Sequence, residues 1–122
     1  MANEIQVTTK LVCKNGNLSA SRTPNQFQVD QAAAGAAQGF AAIATSATSI
    51  SLGSVSAAGW AYFYNTDATN YVEIGPDNAG TFVPFMRLQP GDSAVVALTP
   101  SITLKAQAHT ATVLLEYVIL QA

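Results

Sequence analysis

The residues able to do acid–base or nucleophilic chemistry are few and scattered. His109 is the only histidine and Cys13 the only cysteine. A zinc site wants several such ligands, and one of each, far apart, does not make one. No spacing places a serine, His109 and a carboxylate in a recognisable triad. His109, in Gln107-Ala108-His109-Thr110-Ala111, is expected in an exposed turn. Cys13 ends the alternating series Ile5, Val7, Thr9, Leu11, where a small buried hydrophobe is expected. A reactive thiol would want a basic neighbour in a cleft, and Lys14 points the other way on a strand. Asp67, Asn70, Glu73, Asp77 and Asn78 could offer oxygens to calcium. Their spacing matches no metal loop, and Asx residues in turns usually bond their own backbone. Paired carboxylates of the glycosidase kind cannot be inferred without a separation. Trp60, Tyr62 and Tyr64 share one strand face and could stack on a sugar. Three aromatics at period two in a β chain are more often core, and core is the expectation here. The residues thus predict no enzyme, no cofactor and no metal.

The stretch Gly59–Gly75 is the centre of the chain's organisation. Trp60, Tyr62 and Tyr64 alternate with Ala61 and Phe63, the period of a strand. Asn65 to Asn70 read as a turn, and Tyr71, Val72 and Ile74 resume a β run, so the stretch predicts a hairpin. Upstream, Ala2 to Cys13 alternates and predicts a first strand. Lys14-Asn15-Gly16-Asn17 is a hairpin turn, and Leu18 to Arg22 continues beyond it. Gln26 to Gln31 predicts a second strand. Ala32 to Ala47 is alanine-rich. Gly35 and Gly39 interrupt it and no 3.6-residue stripe appears, so extended structure is predicted, with a short helix near Gln31 to Gln38 as the alternative.

Downstream, Ser49 to Leu52 predicts a short strand and Pro76-Asp77-Asn78-Ala79-Gly80 a turn. Thr81 to Leu88 predicts a strand at an edge or bulged, because Pro84 removes a ladder donor. Gln89-Pro90-Gly91-Asp92 carries a type II turn signature. Ser93 to Leu98 and Ile102 to Ala106 follow as strands. Thr112 to Leu120, apolar on both faces except for Glu116, predicts a central strand or one covered by a neighbour. About nine short strands separated by turns predict an all-β antiparallel β-sandwich, jelly-roll-like. The expected core includes Trp60, Tyr62, Tyr64, Phe82, Leu115 and Tyr117.

The 122 residues suit one domain, with residues 1–47 as an N-terminal arm or interface segment in that picture. Only 10% of residues are charged, against about a quarter in ordinary soluble domains. A surface built of Ala, Ser, Thr, Asn and Gln suits a protein that meets copies of itself or a larger assembly. From Gln31 to Thr66 no residue is charged. Within that run Ala37, Phe40, Ala42 and Ile43 are the expected interface residues. The five cations, Lys10, Lys14, Arg22, Arg87 and Lys105, form no basic stripe, so no nucleic-acid partner is expected. The N-terminus shows no signal-peptide pattern, and no apolar run approaches the ~18 residues that cross a membrane.

Gly59-Trp60-Ala61-Tyr62-Phe63-Tyr64-Asn65-Thr66-Asp67-Ala68-Thr69-Asn70-Tyr71-Val72-Glu73-Ile74-Gly75 is followed by Phe82, Pro84-Phe85-Met86-Arg87-Leu88, Pro90-Gly91-Asp92, Leu104-Lys105-Ala106 and Val113-Leu114-Leu115-Glu116-Tyr117. This pattern, over about the last two thirds of the chain, resembles small all-β virion proteins of tailed bacteriophages, of the head decoration or capsid cement kind. The resemblance implies a β-sandwich that forms homo-oligomers, often trimers. Such a protein is made in the host bacterial cytoplasm, becomes part of the virion, and binds the major capsid protein to stabilise the head. It implies no catalysis and no cofactor. The alternative expectation, from Trp60, Tyr62 and Tyr64, is a carbohydrate-binding or tail-associated host-attachment module.

Overall fold

The computed structural model describes residues 4–24, 27–31, 34–53 and 55–122. The protein is all-β and antiparallel. Among the described residues thirteen short strands are formed: β1 (Ile5–Val7), β2 (Leu11–Asn15), β3 (Leu18–Arg22), β4 (Phe27–Val29), β5 (Ala36–Ile43), β6 (Thr48–Ser49), β7 (Ala58–Asn65), β8 (Val72–Asn78), β9 (Thr81–Phe82), β10 (Met86–Leu88), β11 (Ser93–Ala97), β12 (Leu104–Ala108) and β13 (Val113–Gln121). They divide between two compact units, Met1–Ala32 and Ala33–Ala122.

The smaller unit holds two separate ribbons, β1 with β4 and β2 with β3. The expected first strand is therefore two strands, β1 and β2, with different partners; Ala2 and Asn3 lie outside the described residues, as do Asn25 and Gln26. The predicted turn at Asn15-Gly16 is present. Leu18 pairs with Asn15 across it, and Gly16 takes φ 58°, a region open to glycine without a Cβ penalty.

The larger unit has two sheets, β11-β7-β13-β5 and β10-β8-β12-β6, with β9 alongside β8. The expected extended form of the alanine-rich segment holds over Ala36–Ile43, where β5 pairs along its whole length with β13. β13 lies between β5 and β7, the central place its two-sided apolar sequence predicts. β10 lies at an edge. Four steps from Phe82 to Met86 oppose three from Asp77 to Ile74, so the chain around Pro84 carries one extra residue. The bulge anticipated at this proline is thus formed. The predicted type II turn closes through Asp92 N–H to the Gln89 carbonyl at 2.9 Å, with Gly91 at φ 84°.

The largest departure concerns Gly59–Gly75. β7 and β8 do not pair; they belong to different sheets. The segment between them is a crossing from one sheet to the other, not a hairpin. Its hinge is Asn65, fully buried at the end of β7. Its amide donates to the carbonyls of Asn70 (3.0 Å) and Leu88 (2.9 Å), and its Oδ1 accepts from Asp67 N–H (2.9 Å). One side chain thus binds the loop and β10 to the end of β7.

Both sheets of the larger unit contribute to one hydrophobic core. Ala37 and Ile43 come from β5, Ala61 and Phe63 from β7, Val72 and Ile74 from β8, and Val113, Leu115 and Ile119 from β13. Fully burying a side chain of this size contributes about 1.5–3 kcal/mol, so the core residues set which face of each strand turns inward.

Candidate docking face

The parity of β7 is opposite to the expectation. Ala61, Phe63 and Asn65 point into the core, while Trp60, Tyr62 and Tyr64 lie half-buried on the outward face. The physical reason is that alternation assigns the two sets to opposite faces without saying which is inside. Here the face carrying Ala61, Phe63 and Asn65 packs against the second sheet. Between Ile119 and Gln121 the register with β7 shifts, so Ala58 as well as Ala61 turns inward.

The other expected residues divide in the same way. Leu115 is fully buried in the core, and Tyr117 is half-buried against it. Phe82 is half-buried on β9 and lies outside the core cluster. Of the four expected interface residues, Ala37 and Ile43 belong to the core, so their interface assignment is corrected. Phe40 and Ala42 are exposed on the outward face.

The outward face can be built row by row from the register. Tyr64 stands between Ser93 and Glu116, and Glu116 in turn opposes Phe40. The next row runs Val95, Tyr62, Val118, Gln38. Ala97 flanks Trp60, and Leu114 opposes Ala42. Phe40 is 61% exposed, Leu114 48% and Val95 43%. The face is therefore a sheet of aromatic and aliphatic side chains with one charge, Glu116. That carboxylate has no hydrogen bond or ion pair among the described residues, and with burial and the neighbouring Tyr64 it has an electrostatic effect: desolvation first, then Glu116, then Tyr64 push the Tyr62 phenol up.

The opposite sheet carries the polar chemistry. Arg87 lies 4.2 Å from the centre of the Tyr71 ring and pairs with Glu73 at 3.3 Å. The exposed His109 ring stacks on Tyr71 with centroids 5.3 Å apart. Lys105 Nζ is 3.4 Å from Asp77 Oδ1, a buried oxygen that accepts no hydrogen bond, so the ammonium supplies its compensation through charge. Of the Asx residues considered for calcium, Asp67 and Asp77 accept from nearby backbone, Asp77 from the Gly80 N–H at 3.3 Å. Asp67 Oδ2 accepts from the backbone N–H groups of Thr69 (2.9 Å) and Asn70 (2.6 Å), which lowers the Asp67 pKa, the Thr69 bond contributing most. Among the described residues no group of three or more His, Cys, Asp or Glu side chains is placed to hold a metal ion. A small apolar groove of about 300 Å³ lies between Pro76, Val83, Phe85, Val96, Leu98 and Ile102.

Two features were not read from the sequence: the role of Asn65 as a buried hinge, and the outward direction of the aromatic row. The second had a signal, since Ala94 and Val96 of β11 offer small inward side chains beside Phe63. No family model, curated protein or solved structure matches the chain.

Proposed function

We propose that the chain is a structural protein of the bacteriophage virion, a decoration or cement protein that binds the head and stabilises it. One observation carries this reading: an outward sheet face of Trp60, Tyr62, Tyr64, Phe40, Leu114 and Val95 with Glu116 as its single charge. A contiguous apolar surface of this kind marks an interaction site, and aromatic side chains at its centre are the usual anchors of an interface. The phage-protein resemblance supplies the class of partner, the major capsid protein together with other copies of this chain, as a trimer. On this reading the two sheets of the larger unit are the layers of a jelly-roll-like β-sandwich, and many weak contacts repeated by symmetry strengthen the shell. Co-sedimentation with undecorated heads of the encoding phage tests it. The parent protein pellets with the shells, and Trp60→Ala with Tyr62→Ala abolishes pelleting while the circular dichroism stays native. Equal pelleting of parent and double variant overturns the assignment of the face.

A second reading is favoured by the same aromatic row. Side chains two apart on a strand stand about 6.8 Å apart, and Trp60, Tyr62 and Tyr64 form such a file facing outward, a platform on which sugar rings can stack. A glycan array distinguishes the two: binding that disappears in Trp60→Ala supports host attachment, and no binding leaves the head-decoration reading in place.

A further inference from the structure

We infer that the β2–β3 hairpin of one copy docks across the outward face of β11-β7-β13-β5 in a second copy, an inference that rests on the reading of the chain as self-associating. The hairpin is built to be covered. All ten residues of its strands are exposed, with Leu11 at 72%, Val12 at 57% and Leu18 at 60%. The register sorts them by face. Leu11 opposes Arg22, Cys13 opposes Ala20 and Asn15 opposes Leu18, so Leu11, Cys13, Leu18 and Ala20 share one side with Asn15 and Arg22. Val12, Lys14, Ser19 and Ser21 share the other. An amphipathic two-stranded ribbon is marginally stable in water and gains its stability from a surface that covers its apolar side.

Charge selects the occupant. From Lys10 to Arg22 the chain carries Lys10, Lys14 and Arg22 and no acid. The larger unit carries Asp67, Glu73, Asp77, Asp92 and Glu116 against Arg87 and Lys105. Two aromatic faces pressed together symmetrically would bring Glu116 towards its own copy in a desolvated centre, which is costly. A basic hairpin instead brings Arg22, at the end of its apolar side, to that unpaired carboxylate as a charge-assisted hydrogen bond. Area points the same way. Four strands, β11 of five residues and the others of eight or nine, give a face within about 19 Å by 27 Å, on the order of 500 Å². A stable interface wants about 800 Å² per partner, and a copy that both receives a hairpin and donates one supplies two patches. Such a head-to-tail contact gives a ring when its rotation closes and an open filament when it does not.

The test uses the single cysteine, Cys13. Gln38→Cys and Ser93→Cys place a second thiol on either side of Glu116, and a short bismaleimide joins thiols that lie close together. Docking in a second copy gives covalent dimers and larger species in at least one of these variants. They are absent from the parent and from the same variant carrying Cys13→Ser. Arg22→Glu should weaken self-association at least about tenfold, and Glu116→Arg in that background should restore it. Rapid linkage within one chain would show that each hairpin covers its own copy, and the inference falls. Absence of linkage in a protein that light scattering shows to be oligomeric overturns the hairpin contact and leaves self-association standing. A monomer at high concentration removes both.

Discussion

The two sheets of the larger unit bury the same kind of residue inside and present opposite chemistry outside. β11-β7-β13-β5 shows the solvent Trp60, Tyr62, Tyr64, Phe40 and Leu114 with Glu116 alone. β10-β8-β12-β6 shows Arg87 paired with Glu73 and Lys105 paired with Asp77, while Gln107 donates to the Thr45 carbonyl. Part of the second sheet is also covered by its own chain, because the strand bulged at Pro84 passes over Gly75. The difference teaches that the two sheets divide their outer chemistry, the ion pairs lying on the second sheet beside the exposed Val83 and Phe85 of the crossing segment. Within the larger unit both ion pairs lie on the second sheet, and the outward face of the first carries Glu116 alone.

Substitution on β7 should give the sharpest contrast between inside and outside. Phe63→Ala is expected to cost about 3–5 kcal/mol in urea denaturation, since a fully buried ring leaves a cavity. Tyr62→Ala, one residue away and outward, should cost about 1 kcal/mol or less while reducing association. Equal losses would mean that the two faces are equally enclosed. Next in size is Gly75→Ala. A Cβ there would stand 2.2 Å from the Val83 carbonyl oxygen and 2.7 Å from Pro84 Cα, both backbone. The crossing strand must move, at about 1–3 kcal/mol by the usual cost of overpacking, and a thermal melt that matches the parent would show that the crossing is loose.

Smaller effects are expected on the charged face and in the loop. A double-mutant cycle on Arg87 and Glu73 should return about 0.2–1 kcal/mol, the range of exposed ion pairs, and neither single variant should alter association. Asp67 gives the pH dependence. Its folded pKa is lowered, chiefly by the Thr69 N–H and then by the Asn70 N–H. Its contribution is therefore present above the unfolded carboxylate pKa and is lost as pH falls through the folded value. Asp67→Asn should flatten that acid limb of a stability–pH profile; an unchanged limb would assign the acid sensitivity to other carboxylates.

Local signals carried much of the fold. Asn15-Gly16, Gln89-Pro90-Gly91-Asp92 and Pro84 each have a backbone reason to do what they do, and each appears in the structure as expected. The two-sided apolar sequence of β13 placed it centrally, and the interrupting glycines and the missing 3.6-residue stripe kept β5 extended. Non-local choices were not legible. Asn65 to Asn70 has turn composition whether it joins neighbours in one sheet or carries the chain to another. What decides is the burial of Asn65 against the Leu88 carbonyl, 23 residues away. The candidate face was half legible for the same reason. The aromatic row was visible, but its direction depends on which side of β7 the second sheet covers. In the alanine-rich run, small size suited an interface, yet Ala37 and Ile43 were claimed by the core, and Phe40 and Ala42 were left outside.

The place of β13 between β5 and β7 has a consequence for how the protein is made. β5 ends at Ile43 and β7 at Asn65, while the strand that joins them begins at Val113. On a ribosome adding about 5–20 residues per second, β5 waits several seconds for its partner. Through that interval the edges of both strands are open to pairing with another nascent chain. The composition of β5, with alanine at four of its eight positions and a glycine in the middle, makes it a poor template for such pairing. β7, with its aromatic row, is the segment for which a chaperone would compete.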